Sequence, residues 1–275
     1  MEASALILLG LGLLALGWLL GPPLWRRWRR QRLSQQPFSP LWRTLLRKRV
    51  PLARHLPADL RRRLQQHIQI FLAEVPIIGC QGLEVDDEVR VTIAAHACLL
   101  TLNRSEPHYP HLRQVLVYRD SFVVPRDAPD AAGVVQPHTE VLAGESWSEG
   151  QVILSWADVL AGAAQARDGR NVAIHEFAHQ LDQAGGAANG APELPSAAQA
   201  QRWAEVWRAA FRDHRSRLAW GKPTLFDSYA AQDPAEFFAV VSEVFFERCG
   251  ALAQQHPDLH RELVAFYRLD PSQWG

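Results

Sequence analysis

The sequence predicts an α+β domain, a small sheet among several helices, behind an N-terminal transmembrane helix. Three observations predict it. Residues 3–21, ASALILLGLGLLALGWLLG, carry no charge and match the length of about 20 apolar residues that a bilayer requires. Apolar residues at helical spacing fill 58–103, short β-branched runs separated by Pro, Gly and Asp follow, and the helical period returns after Gly169. Helices, then strands, then helices is the order of an α+β chain. The 275 residues, 48% hydrophobic and 21% charged, suffice for one substantial domain and exclude a wholly disordered chain.

Glu2 precedes the first apolar run and PPLWRRWRRQR follows it, the reverse of a cleavable signal, so 1–22 reads as a retained anchor. Basic flanks stay on the cytoplasmic side, which predicts a single-pass protein of the inner (cytoplasmic) membrane with everything after Arg26 facing the cytoplasm. Trp25 and Trp28 suit the interface. Net charge is zero, yet residues 26–66 hold 13 Arg/Lys against Asp59 alone. Pro37, Pro40 and Pro51 punctuate 23–57, a basic juxtamembrane linker whose expected partner is anionic lipid and not nucleic acid.

A globular domain over 58–275 follows. ADLRRRLQQHIQIFLAEV places Leu60, Leu64, Ile68, Phe71, Leu72 and Val75 on one helical face, and VRVTIAAHACLLTLN is a second, more apolar helix. VLVY (115–118), SFVV (121–124) and QVILSW (151–156) read as strands, the last as an edge open to an extended peptide. Helices are expected over 171–184, 198–217, 234–249 and 257–268. Cys80, Cys98 and Cys249 are odd in number and form no C-x-x-C pair, which argues against disulfides and thiolate zinc and for buried, reduced thiols. His96 and His138 read as core or surface residues.

HEFAHQLD (175–182) carries the chemistry. On a helix His175 and His179 project from one face and can grip one ion, with Glu176 between them to act as base on a bound water. The bland alternative is a helix whose two histidines face solvent or carboxylates. Asp182 and Gly185 stand where an H-E-x-x-H-x-x-G-x-x-H site needs Gly and His, so a third ligand comes from elsewhere. DPAEFFAVVSEVFFE (233–247) offers Glu236 and Glu243 seven apart on an apolar helix with Asp233 as N-cap and Pro234 at the first turn. Spacing leaves Glu236 open between ligand and capping box. Asp182 and Glu243 are open between carboxylates that orient a ligand histidine and surface or capping groups. The motif helix is too short and polar to span, which excludes an intramembrane protease.

NVAIHEFAHQLD, ANG, GESW, VILSW and DSYAAQDPAEFFAVVSEVFFE, in this order from about residue 68 to the C-terminal FYRLDPSQW, resemble the Mlc titration factor A family of bacterial zinc peptidases, gluzincins with a lethal-factor-like active site. The resemblance implies a zincin-like metallopeptidase domain with one Zn2+ per chain on His175, His179 and Glu236. It implies Glu176 as general base and acid, and Tyr229 as hydrogen-bond donor to the oxyanion. It also implies aminopeptidase-like action on short peptides or, alternatively, a regulatory protein that sequesters a transcriptional repressor, with hydrolysis secondary.

Overall fold

The computed structural model describes residues 2–104, 109–129, 135–142, 144–147 and 150–274. The expected α+β architecture with an anchor is corrected to a mostly helical fold with a small sheet. α1 (Glu2–Ser34), α2 (Pro40–Arg49), α3 (Ala58–Glu74) and α4 (Asp87–Leu100) come first, with β1 (Ile77–Gly79) between the last two. β2 (Gln114–Tyr118), the hairpin β3 (Phe122–Pro129) and β4 (Val135–Leu142), β5 (Gly144–Trp147) and β6 (Gln151–Ser155) follow. α5 (Trp156–Ala164), α6 (Val172–Asp182), α7 (Ala197–Ala219), α8 (Pro234–Glu247), α9 (Cys249–Gln255) and α10 (Pro257–Tyr267) complete the chain.

Among the described residues no helix is long and apolar enough to cross a membrane, which overturns both the transmembrane helix and the single-pass placement in the inner membrane. α1 is one helix through Pro22 and Pro23, and its apolar stretch gives way at Arg26 to an arginine-rich half. That half is docked on protein. Arg29 donates to the Ala73 carbonyl at 3.1 Å and Arg30 grips both Glu74 oxygens at 2.8 Å, fixing α1 along α3. Leu19, Leu20 and Trp25 are exposed. Residues 38–56 contribute Phe38, Leu46, Val50, Leu52 and Leu56 to the same core as the rest of the chain.

β1, β2 and β6 run parallel in that order, and β5 pairs antiparallel with β6 at the edge. Alternation explains the face that packs: Val115 and Val117 of β2 point into the core, as do Val152 and Leu154 of β6. β6 is paired on both sides, so QVILSW is not an edge, and among the described residues the sheet ends at β1 and at β5. β1 and β2 are joined through α4, whose residues 91–100 are all buried, the mark of a helix at the centre of the fold. His138 lies in β4 opposite Arg126, with its side chain outside the described residues.

His96 sits in that central helix, 1% exposed, with Nδ1 2.8 Å from the Thr92 carbonyl. Burial holds its pKa down at about 4, against about 6.5 for an unfolded chain. Between these values the unfolded state binds the proton and the folded state does not, so stability falls as pH drops from 6.5 through 4. Equilibrium unfolding is expected to show the wild type losing about 3 kcal/mol more than His96→Leu across that window. Metal release affects both proteins alike and cancels; equal pH slopes would refute the buried neutral imidazole.

Candidate metal centre

α6 places the two histidines because Asn171 starts it at the right residue. The Asn171 side-chain oxygen accepts from Ile174 N–H at 3.1 Å as the N-cap, its side-chain nitrogen donates to Glu247 Oε1 at 3.0 Å, and its backbone N–H donates to Glu243 Oε2. Ala173, Ile174, Phe177, Ala178 and Leu181 bury the opposite faces of α6 against α4 and α8. His175, Glu176 and His179 are left facing the cleft side. Glu243 and Glu247 thus tie α8 to the start of α6 through one asparagine.

α8 supplies the third donor. Asp233 Oδ1 accepts from Ala235 N–H at 2.8 Å and Glu236 N–H at 3.0 Å, and Pro234 occupies the first turn. The cap is therefore made by Asp233, and the Glu236 carboxylate points to the histidines. Its Oε2 lies 3.0 Å from His175 Nε2 and 3.5 Å from His179 Nε2, and the two Nε2 atoms are 3.1 Å apart. Ligands about 2.0–2.1 Å from a tetrahedral ion stand roughly 3.3 Å from one another, so these three donors match the ligand set of a divalent cation. Two facing ring nitrogens and a carboxylate, with Glu176 and Glu243 adding negative charge, form a donor set that a cation neutralises.

The surroundings fix the donors. Glu243 Oε1 lies 2.8 Å from His175 Nδ1, so it sets which ring nitrogen faces the centre. Asp182 does something else: its Oδ2 accepts from the N–H groups of Asn189 at 2.8 Å and Gly190 at 2.7 Å, folding the AGGAANG turn back on α6. Gly190 in turn abuts Pro234 at the head of α8, and its carbonyl accepts from Trp203 Nε1 at 2.9 Å.

Glu176 is 5% exposed, and burial pushes its carboxyl up to about 7, against the pull of the two imidazoles. Burial disfavours the His175 proton, but the hydrogen bonds to Glu236 and Glu243 outweigh it and hold that pKa well above the usual value. Burial raises the Glu236 carboxyl, and His175 and His179 overcome it to hold the group well below the carboxylate range. Tyr229, in the 3-10 turn Ser228–Ala231, has its ring centroid 6.0 Å from that of His175. Asp227 anchors this turn by accepting from Tyr229 N–H at 2.8 Å. A cleft of about 610 Å3 opens over these groups, lined by His175, Glu176, Tyr229, Glu243 and Gly144 of β5.

His175, His179, Glu236, Glu176, Tyr229 and Glu243 are thus brought together, whereas Asp182 serves the turn. Asn171, Glu247, Gly144 and Gly190 complete the surroundings without having been singled out by the motifs. A readable signal exists for Glu247, since Glu236, Glu243 and Glu247 continue one helical stripe of an otherwise apolar segment.

Residues 25–268 match the family described as glucose-regulated metallo-peptidase M90, starting well before the expected boundary near residue 68. A Synechocystis sp. protein described as uncharacterized is 40% identical over 262 residues, 95% of this chain and 94% of its own. Mlc titration factor A of Salmonella agona is 34% identical over 249 residues, 90% of this chain and 92% of its own. The protein of the same name from Salmonella arizonae is 34% identical over 249 residues, 97% of its length. A metallopeptidase family implies a metal ion, which the clustered donors on α6 and α8 suit. Matched over nearly all its length, the chain belongs to the glucose-regulated metallo-peptidase M90 family.

Proposed function

We propose that this chain is a zinc-dependent peptidase, aminopeptidase-like on short peptides, with His175, His179 and Glu236 as zinc ligands. The observation that carries the reading is the convergence of three donor atoms at 3.0, 3.1 and 3.5 Å beside a buried carboxylic acid, Glu176. Zinc suits imidazole and carboxylate ligands and, when bound, supplies an acidified water and a polarised carbonyl.

The chain's own groups do the rest. Glu176 accepts the proton of the attacking water and returns it to the leaving amine, a role that a carboxyl poised near neutrality fits. The Tyr229 O–H donates to the oxygen that gains charge. Glu243 holds the His175 ring in place. An extended peptide pairs with the free edge of β5, which brings its backbone across the cleft toward Glu176.

Purified protein is expected to carry zinc at this centre and to cleave short peptides with free N-termini, and N-acetylation of those peptides is expected to abolish cleavage. Glu236→Ala should lose that zinc and all turnover. Absence of zinc from the wild type, or full activity in Glu236→Ala, refutes the proposal. A second reading, capture of a transcriptional repressor, is supported by the relatives named titration factors. It predicts a repressor pull-down that survives Glu176→Gln alongside weak turnover on every peptide tried.

A further inference from the structure

On the far end of α8 a different set of donors meets. Cys249 opens α9, His260 lies on α10 and Asp270 caps the C-terminal 3-10 turn Pro271–Gln273. Cys249 Sγ is 3.8 Å and His260 Nε2 3.3 Å from the same oxygen, Asp270 Oδ1, and the three donors all lie within 4.8 Å of one another. We propose that Cys249, His260 and Asp270 form a second zinc site that fastens the C-terminal segment to α9 and α10.

The distances fit. With metal–ligand lengths of about 2.0–2.3 Å, tetrahedral neighbours stand roughly 3.3–3.6 Å apart, so two of the three separations are already within a few tenths of an ångström. Charge fits as well. A thiolate and a carboxylate supply two negative charges against the two positive charges of the ion, and the neutral imidazole completes a sulfur, nitrogen and oxygen set of the borderline-soft kind that zinc takes.

Asp270 Oδ1 is the meeting point of the cluster. It faces the Ser272 N–H at 3.0 Å, the Ser272 hydroxyl at 2.6 Å, His260 Nε2 and Cys249 Sγ. Four polar groups thus crowd a single carboxylate oxygen, two of them at close hydrogen-bond distance. The two Ser272 bonds are short and the other two contacts long, and a cation among Sγ, Nε2 and Oδ1 converts those long contacts into coordination. The carboxylate is aimed beforehand, because Gln273 Nε2 holds its other oxygen at 3.0 Å. Cys249 borders a cavity of about 500 Å3 together with Pro271, Ser272 and Trp274, so the sulfur side of the cluster faces open space. Counting C-x-x-C pairs misses such a site because it uses a single sulfur.

Cobalt(II) separates this site from the one on α6, since a thiolate ligand produces a near-ultraviolet sulfur-to-metal charge-transfer band and imidazole and carboxylate ligands do not. The full-length chain is expected to bind two cobalt ions, with the band saturating at one equivalent. Cys249→Ser should lose the band and one equivalent while hydrolysing peptide at the wild-type rate, and His260→Gln should weaken the band if the serine variant does not fold. Glu236→Ala should keep it. No band at saturating cobalt in the wild type, or an undiminished band in the folded Cys249→Ser or His260→Gln protein, overturns the second site and leaves the peptidase reading untouched.

Discussion

Glu176→Gln is expected to slow peptide hydrolysis by about 10²–10⁴-fold with the metal still bound. The amide keeps the volume and one oxygen of the carboxylate but accepts no proton, so water activation and proton return to the amine both fail. Glu176 is flanked by His175 and His179, whose donor atoms converge with Glu236 and not with Glu176, so the ligand set survives the change. Removing an ionisable group from a site 5% exposed also spares the fold, since the burial penalty on the charged form disappears with it. Gly144→Ala tests the same carboxylate from outside: a Cβ there would stand 2.5 Å from Glu176 Oε1 and 2.6 Å from its Cγ, so the side chain must turn away. It should reproduce the loss with the metal still bound, at a cost of about 1–3 kcal/mol in stability for overpacking a buried site. Metal analysis beside initial rates decides both, and a metallated Glu176→Gln protein that cleaves at the wild-type rate would remove Glu176 from the chemistry.

The histidine pair was legible because two imidazoles four residues apart on a helix have little freedom in where they meet. Spacing alone left Glu236 open, because D-x-x-E serves a capping box and a ligand alike; the family resemblance pointed to the carboxylate, and the position of α8 relative to α6, a tertiary fact, brings it to the histidines. Proline misleads in a similar way. Pro40 and Pro51 look like breaks in the pattern but each begins a helical segment, as Pro234 and Pro257 were expected to, where the missing N–H has no partner to lose. For α1, apolarity was read along one dimension. The contacts of Arg29 and Arg30 with α3 lie 44 residues away in sequence and leave no trace in periodicity. β1 and β5 are too short to alternate visibly, and the parallel pairing of β1 with β2 depends on a crossover through α4 that composition does not encode.

The largest structural effect is expected from Gly190→Ala, a position that touches neither metal nor substrate. Gly190 has φ +75°, the left-handed region, where a side chain costs about 1–3 kcal/mol. A Cβ there would also stand 2.3 Å from the Pro234 carbonyl oxygen and 2.8 Å from its carbon. These are backbone atoms at the head of α8, so the collision is relieved only by moving the helix or the turn. The turn is held from the other side by Asp182 and by Trp203, which is 1% exposed and stacked on Trp207 at 4.5 Å. The strain therefore passes to α8, and Glu236 lies two residues after Pro234. Thermal unfolding should drop by roughly 6–12 °C for about 3 kcal/mol lost. Zinc affinity at the α6 centre should fall by about 10–100-fold, the range for disturbing groups that position a ligand. Asp182→Asn supplies the comparison, since it weakens the grip on the turn without the collision and is expected to lower both quantities less. If Gly190→Ala bound zinc as tightly as the wild type, the turn would have no part in setting Glu236 against the histidines.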